Sequence, residues 1–452
     1  MTRLAFAAAA LFLVACNGGT PLGVPSGFSV RPQARSPSSP ISHLVLIVQE
    51  NRTFNDLFAT FPRTAGTTTG KELIGTKVES IKLTEEPLEA PTTLRHTYAG
   101  YKIAYNGGAM DAFNLIRFKI NGKYEGALPY QYVDPADVAP YWDIATDYAI
   151  ADHTFTTQGS SSFPAHQDLI RGGTAIDSTE SLIDDPTKMP WGCDAPPGTA
   201  TELITTTLKY ERHGPPPCTK DFPSSGSYET LQDLLDAKDV SWKYYTPTYQ
   251  GSTGALWNAF LAIASVFDDK AEWKAHISQP DTNVFADISK GALPSVSWVI
   301  PDGANSDHPG YESDTGPSWV ASVTNAIGES PYWKSTAIVI VWDDWGGFYD
   351  EVKPPKLDDQ GGPGFRVPML IVSPYVGKNE ISHDTFEFGS IVRFIEDNWS
   401  LGRLGTTDES TKSIASMFDF KRSPRSFITI PSKRSKSFFL QQKPSGLPVD
   451  DE

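Results

Sequence analysis

The sequence predicts an α/β protein: a three-layer α/β/α sandwich around a largely parallel sheet. Three observations predict it. Four short runs rich in Val and Ile lack polar alternation, as strands buried on both faces do. Helix-like segments lie between them, the pattern that covers both faces of such a sheet. Each run is followed at once by polar residues, and in open α/β sheets the ligand crevice lies beyond the carboxyl ends of the strands.

The elements follow in chain order. His43-Leu-Val-Leu-Ile-Val48 leads into Gln49-Glu50-Asn51. Ser160-Ser161-Ser162-Phe-Pro-Ala-His166 opens a helix through Gln167 to Arg171, with Pro164 near its start and Ser162 at the expected N-cap. A second helix is expected over Tyr228 to Lys238. Val296-Ser-Trp-Val-Ile300 leads into Pro301-Asp302 and Asp307-His308-Pro309, and Trp319 to Ile327 reads as helix. Thr336-Ala-Ile-Val-Ile-Val-Trp342 leads into Asp343-Asp344, and Val367-Pro-Met-Leu-Ile-Val372 into Ser373-Pro374. No repeat of 20–50 residues is visible, which disfavours a solenoid or propeller.

Composition narrows the class. The 452 residues are 39% apolar and 20% charged, as in a soluble globular protein. Thirty-eight Lys and Arg against 54 Asp and Glu give a net charge of −16, a field that repels phosphate backbones and excludes nucleic acid as a general partner.

The N-terminus constrains the compartment. Arg3 precedes the apolar stretch Leu4 to Ala15, which is too short to span a bilayer and reads as a signal segment. It ends in Leu13-Val14-Ala15-Cys16, which resembles the bacterial lipobox. The expected organisation is therefore a signal peptide over 1–16 ending at a lipidated Cys16, a flexible tether over 17–40, and a main domain over 41–420. A basic, Ser/Pro-rich tail over 421–452 is expected to be solvated. This describes an exported, membrane-anchored lipoprotein, periplasmic or at the cell surface. With Cys16 assigned to lipid, Cys193 and Cys218 are left as a pair that flanks a Pro-rich loop, and a disulfide is expected between them.

Two constellations carry chemistry. Glu50-Asn51 and Asp343-Asp344 each end an expected strand, and three crowded carboxylates need a cation or protons to offset them. Oxygen donors favour one hard divalent ion such as Mg2+, Ca2+ or Mn2+. Ser162, at a helix start, faces backbone N–H groups suited to a phosphate, and a neighbouring cation would activate its hydroxyl. Ser161 is the alternative in register.

Gln49-Glu50-Asn51-Arg52-Thr53-Phe54-Asn55 resembles the Glu-Asn-Arg-Ser-Phe-Asp signature of the bacterial phosphoesterase family. That family holds the phosphatidylcholine phospholipase C and acid phosphatase types, within the alkaline phosphatase superfamily. Tyr141 to Ala145 with Asp147 to Asp152, Ser162 to His166, Trp342 to Asp350, and Gly364 to Pro368 with Ser373 to Tyr375 and His383 through Ser390 to Glu396 are similar to its further blocks, in order. The resemblance implies an alkaline-phosphatase-like fold and a metal set of Glu50, Asn51, Asp343 and Asp344. It implies Ser162 as the nucleophile, with His96 and His308 beside the phosphoryl oxygens and Asp307 and His166 at the substrate. His153, His213 and His276 stay unassigned. One departure stands out: Trp345 occupies the place of a family histidine. The implied activity is acid-phosphatase-like hydrolysis of phosphate esters through a phosphoserine. The alternatives are a phospholipase C acting on phosphatidylcholine-type lipids and a surface lipoprotein that binds a phosphorylated ligand without turnover.

Overall fold

The apolar runs assemble into one eight-stranded sheet in a computed structural model that describes residues 37–89, 93–117, 124–222, 228–248, 256–311, 313–355 and 360–447. Its strands are β1 (His43–Gln49), β2 (Ala149–Phe155), β3 (Trp242–Tyr245), β4 (Ile277–Ser278), β5 (Val296–Val299), β6 (Thr336–Trp342), β7 (Arg366–Val372) and β8 (Glu380–Ser382). They lie in the order β4-β3-β5-β1-β6-β7-β2-β8. β1 is central and parallel to both neighbours, with Leu44 opposite Val296 and Ala337. Every residue of β6 and β7 is buried, as their unbroken apolar composition requires. Each Val, Ile or Leu so buried contributes about 1.5–3 kcal/mol.

One strand departs from the parallel expectation. β7 runs antiparallel to both β6 and β2. Its register shifts between Val367 and Met369, where Pro368 has no N–H to give a ladder.

The helices that frame the sheet are α1 (Phe54–Phe58), α2 (Tyr98–Tyr105), α3 (Ala139–Asp147), α4 (Ser162–Arg171), α5 (Gly316–Gly328) and α6 (Phe388–Trp399). α1 and α3 pack on β7 and α3 on α5, while α4 packs against α6. α5 starts three residues before the expected Trp319 because Pro317 suits a first helical turn. The helix expected over Tyr228 to Lys238 is shorter, Leu231–Asp236, its start fixed by a reciprocal cap between Thr230 and Asp233.

All described residues belong to one compact unit, Ala34–Glu452. Cys16 and the expected signal peptide lie outside the described residues, as does the tether up to residue 36. The C-terminal segment is mostly exposed, as its Ser, Pro and Lys content suggests, but it is docked at several points. Ile430 and Phe439 are buried, the Ile430 N–H donates to Asn325 Oδ1 at 2.8 Å, and Arg425 donates to the Asp147 carbonyl at 2.7 Å. A few widely spaced apolar side chains dock this stretch, too sparse to register as a composition. Cys193 and Cys218 are bonded to each other.

Candidate active site

The site is built where β1 and β6 end side by side. Their parallel pairing continues one step past β6, with the Asp343 N–H donating to the Gln49 carbonyl at 2.9 Å. The next residue, Glu50, donates its N–H to the Ser306 carbonyl at 2.8 Å, which brings in the loop after β5. Asn51 then takes a left-handed conformation (φ 62°), one that Asn tolerates better than most residues. It is locked by its N–H donating to Asp343 Oδ1 at 2.9 Å. The chain can pass this close only because Gly346 has no side chain: a Cβ there would lie 1.9 Å from the Asn51 carbonyl oxygen.

Glu50, Asn51, Asp343 and Asp344 are all fully buried and adjacent. The Asn51 amide nitrogen lies 3.4 Å from Asp344 Oδ2, and Asp344 Oδ1 accepts the Gly346 N–H at 2.7 Å. Among the described residues, Glu50 Oε2, Asn51 Oδ1 and Asp343 Oδ2 find no hydrogen-bond donor. Burial pushes the Glu50 carboxyl well above its ordinary range, and the negative charges of Asp343 and Asp344 push it further. Three unsatisfied oxygens in a wholly buried acidic cluster fit a hard divalent cation, whose charge would offset the desolvation and repulsion. His166 belongs to the same cluster: Nε2 lies 3.0 Å from Glu50 Oε1 and 3.8 Å from Asp343 Oδ2. Burial drives its pKa down to about 4, so its ring is neutral near pH 7. The sequence places His166 at the substrate; the structure sets it against the carboxylates of Glu50 and Asp343.

Ser162 meets the cluster from α4, its Oγ 3.4 Å from Asp344 Oδ2. The expected N-cap position is one residue off, because α4 begins at Ser162 and Ser161 is the cap. The capping oxygen is not a serine hydroxyl. Asp185 Oδ1 accepts both the Ser161 hydroxyl (3.0 Å) and the Phe163 N–H (3.1 Å). Pro164 has no N–H, and the Ala165 N–H goes to the Ser161 carbonyl. Among the described residues, the Ser162 N–H is thus the first-turn amide left for a ligand, fewer than an open helix start offers.

His96 stands beside both halves of the site. Its Nδ1–H donates to the Leu94 carbonyl (2.8 Å), which can only accept, so Nε2 accepts from the Asn51 amide at 2.7 Å. Nε2 is also 3.5 Å from Asp344 Oδ2. Trp345, which replaces the family histidine, turns away from the carboxylates. Its indole N–H donates to the His96 carbonyl at 3.0 Å, and its ring packs edge-on against Phe113 and Phe365. It holds the backbone of His96 rather than a proton or an ion.

Asp307 and His308 follow Ser306. The Asp307 carboxylate is engaged by the Tyr141 hydroxyl (2.6 Å) and the Trp342 indole (3.1 Å), an anchor between the α3 layer and the end of β6. Burial raises its pKa to about 6 against these donors. The His308 ring stacks on Tyr311 with centroids 4.3 Å apart. Trp257 lies nearly parallel to His308 at 5.7 Å and to His166 at 6.4 Å, linking the two imidazoles. Sequence reasoning missed Asp184, Asp185 and Trp257, since a lone Asp or aromatic carries no local motif, and it gave Tyr141 a place in a family block but no role. His276, left unassigned, stacks on Trp242 at 4.1 Å, and His153 shares Asp152 with His383.

The sequence resembles those of known proteins. The chain is 23% identical over 443 residues to Phospholipase C B of Mycobacterium tuberculosis, covering 85% of this chain and 78% of that protein. It is 23% identical over 373 residues to Non-specific phospholipase C6 of Arabidopsis thaliana, covering 76% of this chain and 63% of that protein. Among solved structures, a protein in the alkaline phosphatase superfamily from Vibrio parahaemolyticus aligns with 87% of this chain and 77% of its own, at 11% identity and a TM-score of 0.36. Residues 41–402, which carry both strand ends, Ser162 and the three site histidines, match the model of the Phosphoesterase family, and the chain belongs to that family.

Proposed function

We propose that this chain hydrolyses phosphate esters, with Ser162 as nucleophile and one divalent ion held by Glu50, Asn51, Asp343 and Asp344. The observation that carries the reading is the Ser162 hydroxyl 3.4 Å from Asp344, inside the cluster with three unsatisfied oxygens. The ion supplies positive charge that lowers the pKa of the serine hydroxyl and offsets charge developing on the phosphoryl oxygens. Ser162, its hydroxyl proton lost to solvent, attacks phosphorus through Oγ, the ester P–O bond breaks, and His308, in its protonated form, gives a proton to the departing alkoxide. Water then cleaves the phosphoserine, returning Ser162 and releasing phosphate or a phosphorylated headgroup. His96 holds the Asn51 amide nitrogen, which leaves Oδ1 without a donor and available to a cation that the site would hold, and the Ser162 N–H would donate to the phosphoryl oxygen.

The relatives' names support phospholipase C action on lipid phosphodiesters. Acid-phosphatase-like turnover of soluble monoesters is the second reading, favoured by the polar side chains of Arg95, Asp185 and Lys188 in the cavity next to Ser162. Purified protein assayed with p-nitrophenyl phosphate and with phosphatidylcholine separates the two. Turnover of either that survives in full in Ser162→Ala rejects the mechanism, and ligand binding without turnover of any ester rejects the enzyme. Export and anchoring through Cys16 belong to the same reading: Cys16→Ser expressed in a bacterial host is expected in the soluble fraction, and membrane association that persists would reject the anchor.

A further inference from the structure

A cavity of about 460 Å3 has Arg95, Thr97, Asp184, Asp185 and Lys188 in its lining. That lining includes the chain neighbours of His96 and a residue bonded on either side of Ser162. Arg95 and Thr97 flank His96, and Asp185 is bonded to Ser161 and to the Phe163 N–H, on either side of Ser162. Asp184 closes the floor, its carboxylate accepting the Tyr98 N–H at 2.6 Å and the Ser160 hydroxyl at 3.3 Å. A group attached to a phosphate bound at Ser162 would enter this space. The volume suits a small polar substituent and is at the low end for a bound organic ligand.

The charges in the cavity divide by position. Asp184 and Asp185 are committed to backbone N–H groups and serine hydroxyls, and Glu202 lies 3.7 Å from Arg212. Arg95 donates its Nε–H to Thr97 Oγ1 at 3.3 Å, and Lys188 donates to the Pro197 carbonyl at 3.0 Å. Neither cation forms an ion pair with a carboxylate of the described residues. In a chain of net charge −16, a cavity whose three cations, Arg95, Lys188 and Arg212, match its three carboxylates is a local relief of the negative field.

We infer that this cavity is the subsite for the substituent borne by the substrate's phosphate, and that Arg95 and Lys188 select a substituent carrying its own carboxylate or second phosphate. The inference rests on the phosphoester reading and names its substrate class. O-phosphoserine and O-phosphoethanolamine differ by one carboxylate, as do phosphatidylserine and phosphatidylethanolamine, so the soluble pair and the lipid pair probe the same chemistry from two sources.

The test is calorimetric titration of Ser162→Ala protein with the soluble pair, in buffer containing a divalent cation. O-phosphoserine is expected to bind more tightly by up to about fivefold, the scale of one exposed ion pair. Lys188→Glu, at an exposed position, is expected to bring the ratio to one or below. Wild-type turnover of the lipid pair in mixed detergent micelles then tells which source the enzyme uses: the same preference among the lipids assigns a headgroup, and none among them a soluble monoester. Equal affinities for the soluble pair, or a preference that Lys188→Glu leaves intact, would overturn the inference. Absence of p-nitrophenyl phosphate and phospholipid hydrolysis by the wild type would instead overturn the phosphoester reading, while the binding ratio is still measured.

Discussion

Trp345→Phe separates what Trp345 does from what the family histidine would do. The substitution keeps an aromatic ring against Phe113 and Phe365 but removes the indole N–H, leaving the His96 carbonyl without its donor. Leaving a buried acceptor unsatisfied costs about 1–3 kcal/mol. The smaller ring adds a packing loss, since Trp345 is fully buried, so a total of about 2–4 kcal/mol is expected. Unfolding entropy of about 2.1 cal/mol/K per residue makes each kcal/mol worth roughly 1 °C for a unit of this size. The melting temperature should therefore fall by about 2–4 °C. Because Trp345 fixes the residue that holds Asn51, kcat should drop roughly tenfold from misplacement of a metal ligand. Scanning calorimetry and p-nitrophenyl phosphate kinetics measure the two effects. Trp345→His restores the family residue, yet it is expected to be destabilised too and no more active. A histidine variant that matched the wild type in stability and exceeded it in rate would refute the assignment of Trp345 as a brace.

Asp343→Asn should lower divalent-ion content, read by elemental analysis, and cut kcat/KM at least about a hundredfold. Unchanged ion content would remove Asp343 from the ligand set. Reducing or deleting the Cys193–Cys218 bond, which spans 25 residues, should cost about 3 kcal/mol and lower the melting temperature by a few degrees. Stability should also depend on pH through Asp281, whose pKa burial and the nearby Asp302 charge raise to about 7. The folded chain then holds a proton that the unfolded chain loses at lower pH, so this contribution is present in acid and is lost as pH rises toward 7. Asp281→Asn should flatten the decline between pH 5 and 7 by up to about 1.4 kcal/mol per pH unit, measured by denaturant unfolding, and an unchanged slope would contradict it.

The fold was legible because central strands must be apolar on both faces. His43 to Val48 and Thr336 to Trp342 carry no polar interruption and were placed within one residue of their ends. β2 was not read as a strand because Asp152 and His153 break its apolar run, although the sheet tolerates them near its register shift. The reversal of β7 was hidden, since direction depends on the connection and not on composition. Glu50, Asn51, Asp343, Asp344, Ser162, His96 and His166 converge as expected from sequence, because strand ends and a helix start mark a crevice by rule. The error at the cap came from judging Ser162 by local propensity when Asp185, 23 residues on, supplies the capping oxygen. The role of His166 depended on burial against Glu50, which no spacing encodes.

Rapid acid quenching during turnover, followed by mass spectrometry of the α4 peptide, tests the central claim most directly. Transient phosphate on the Ser162 hydroxyl is the result the proposed mechanism predicts. Phosphate found on Ser161, or turnover with an unmodified α4 peptide at every quench time, would contradict it.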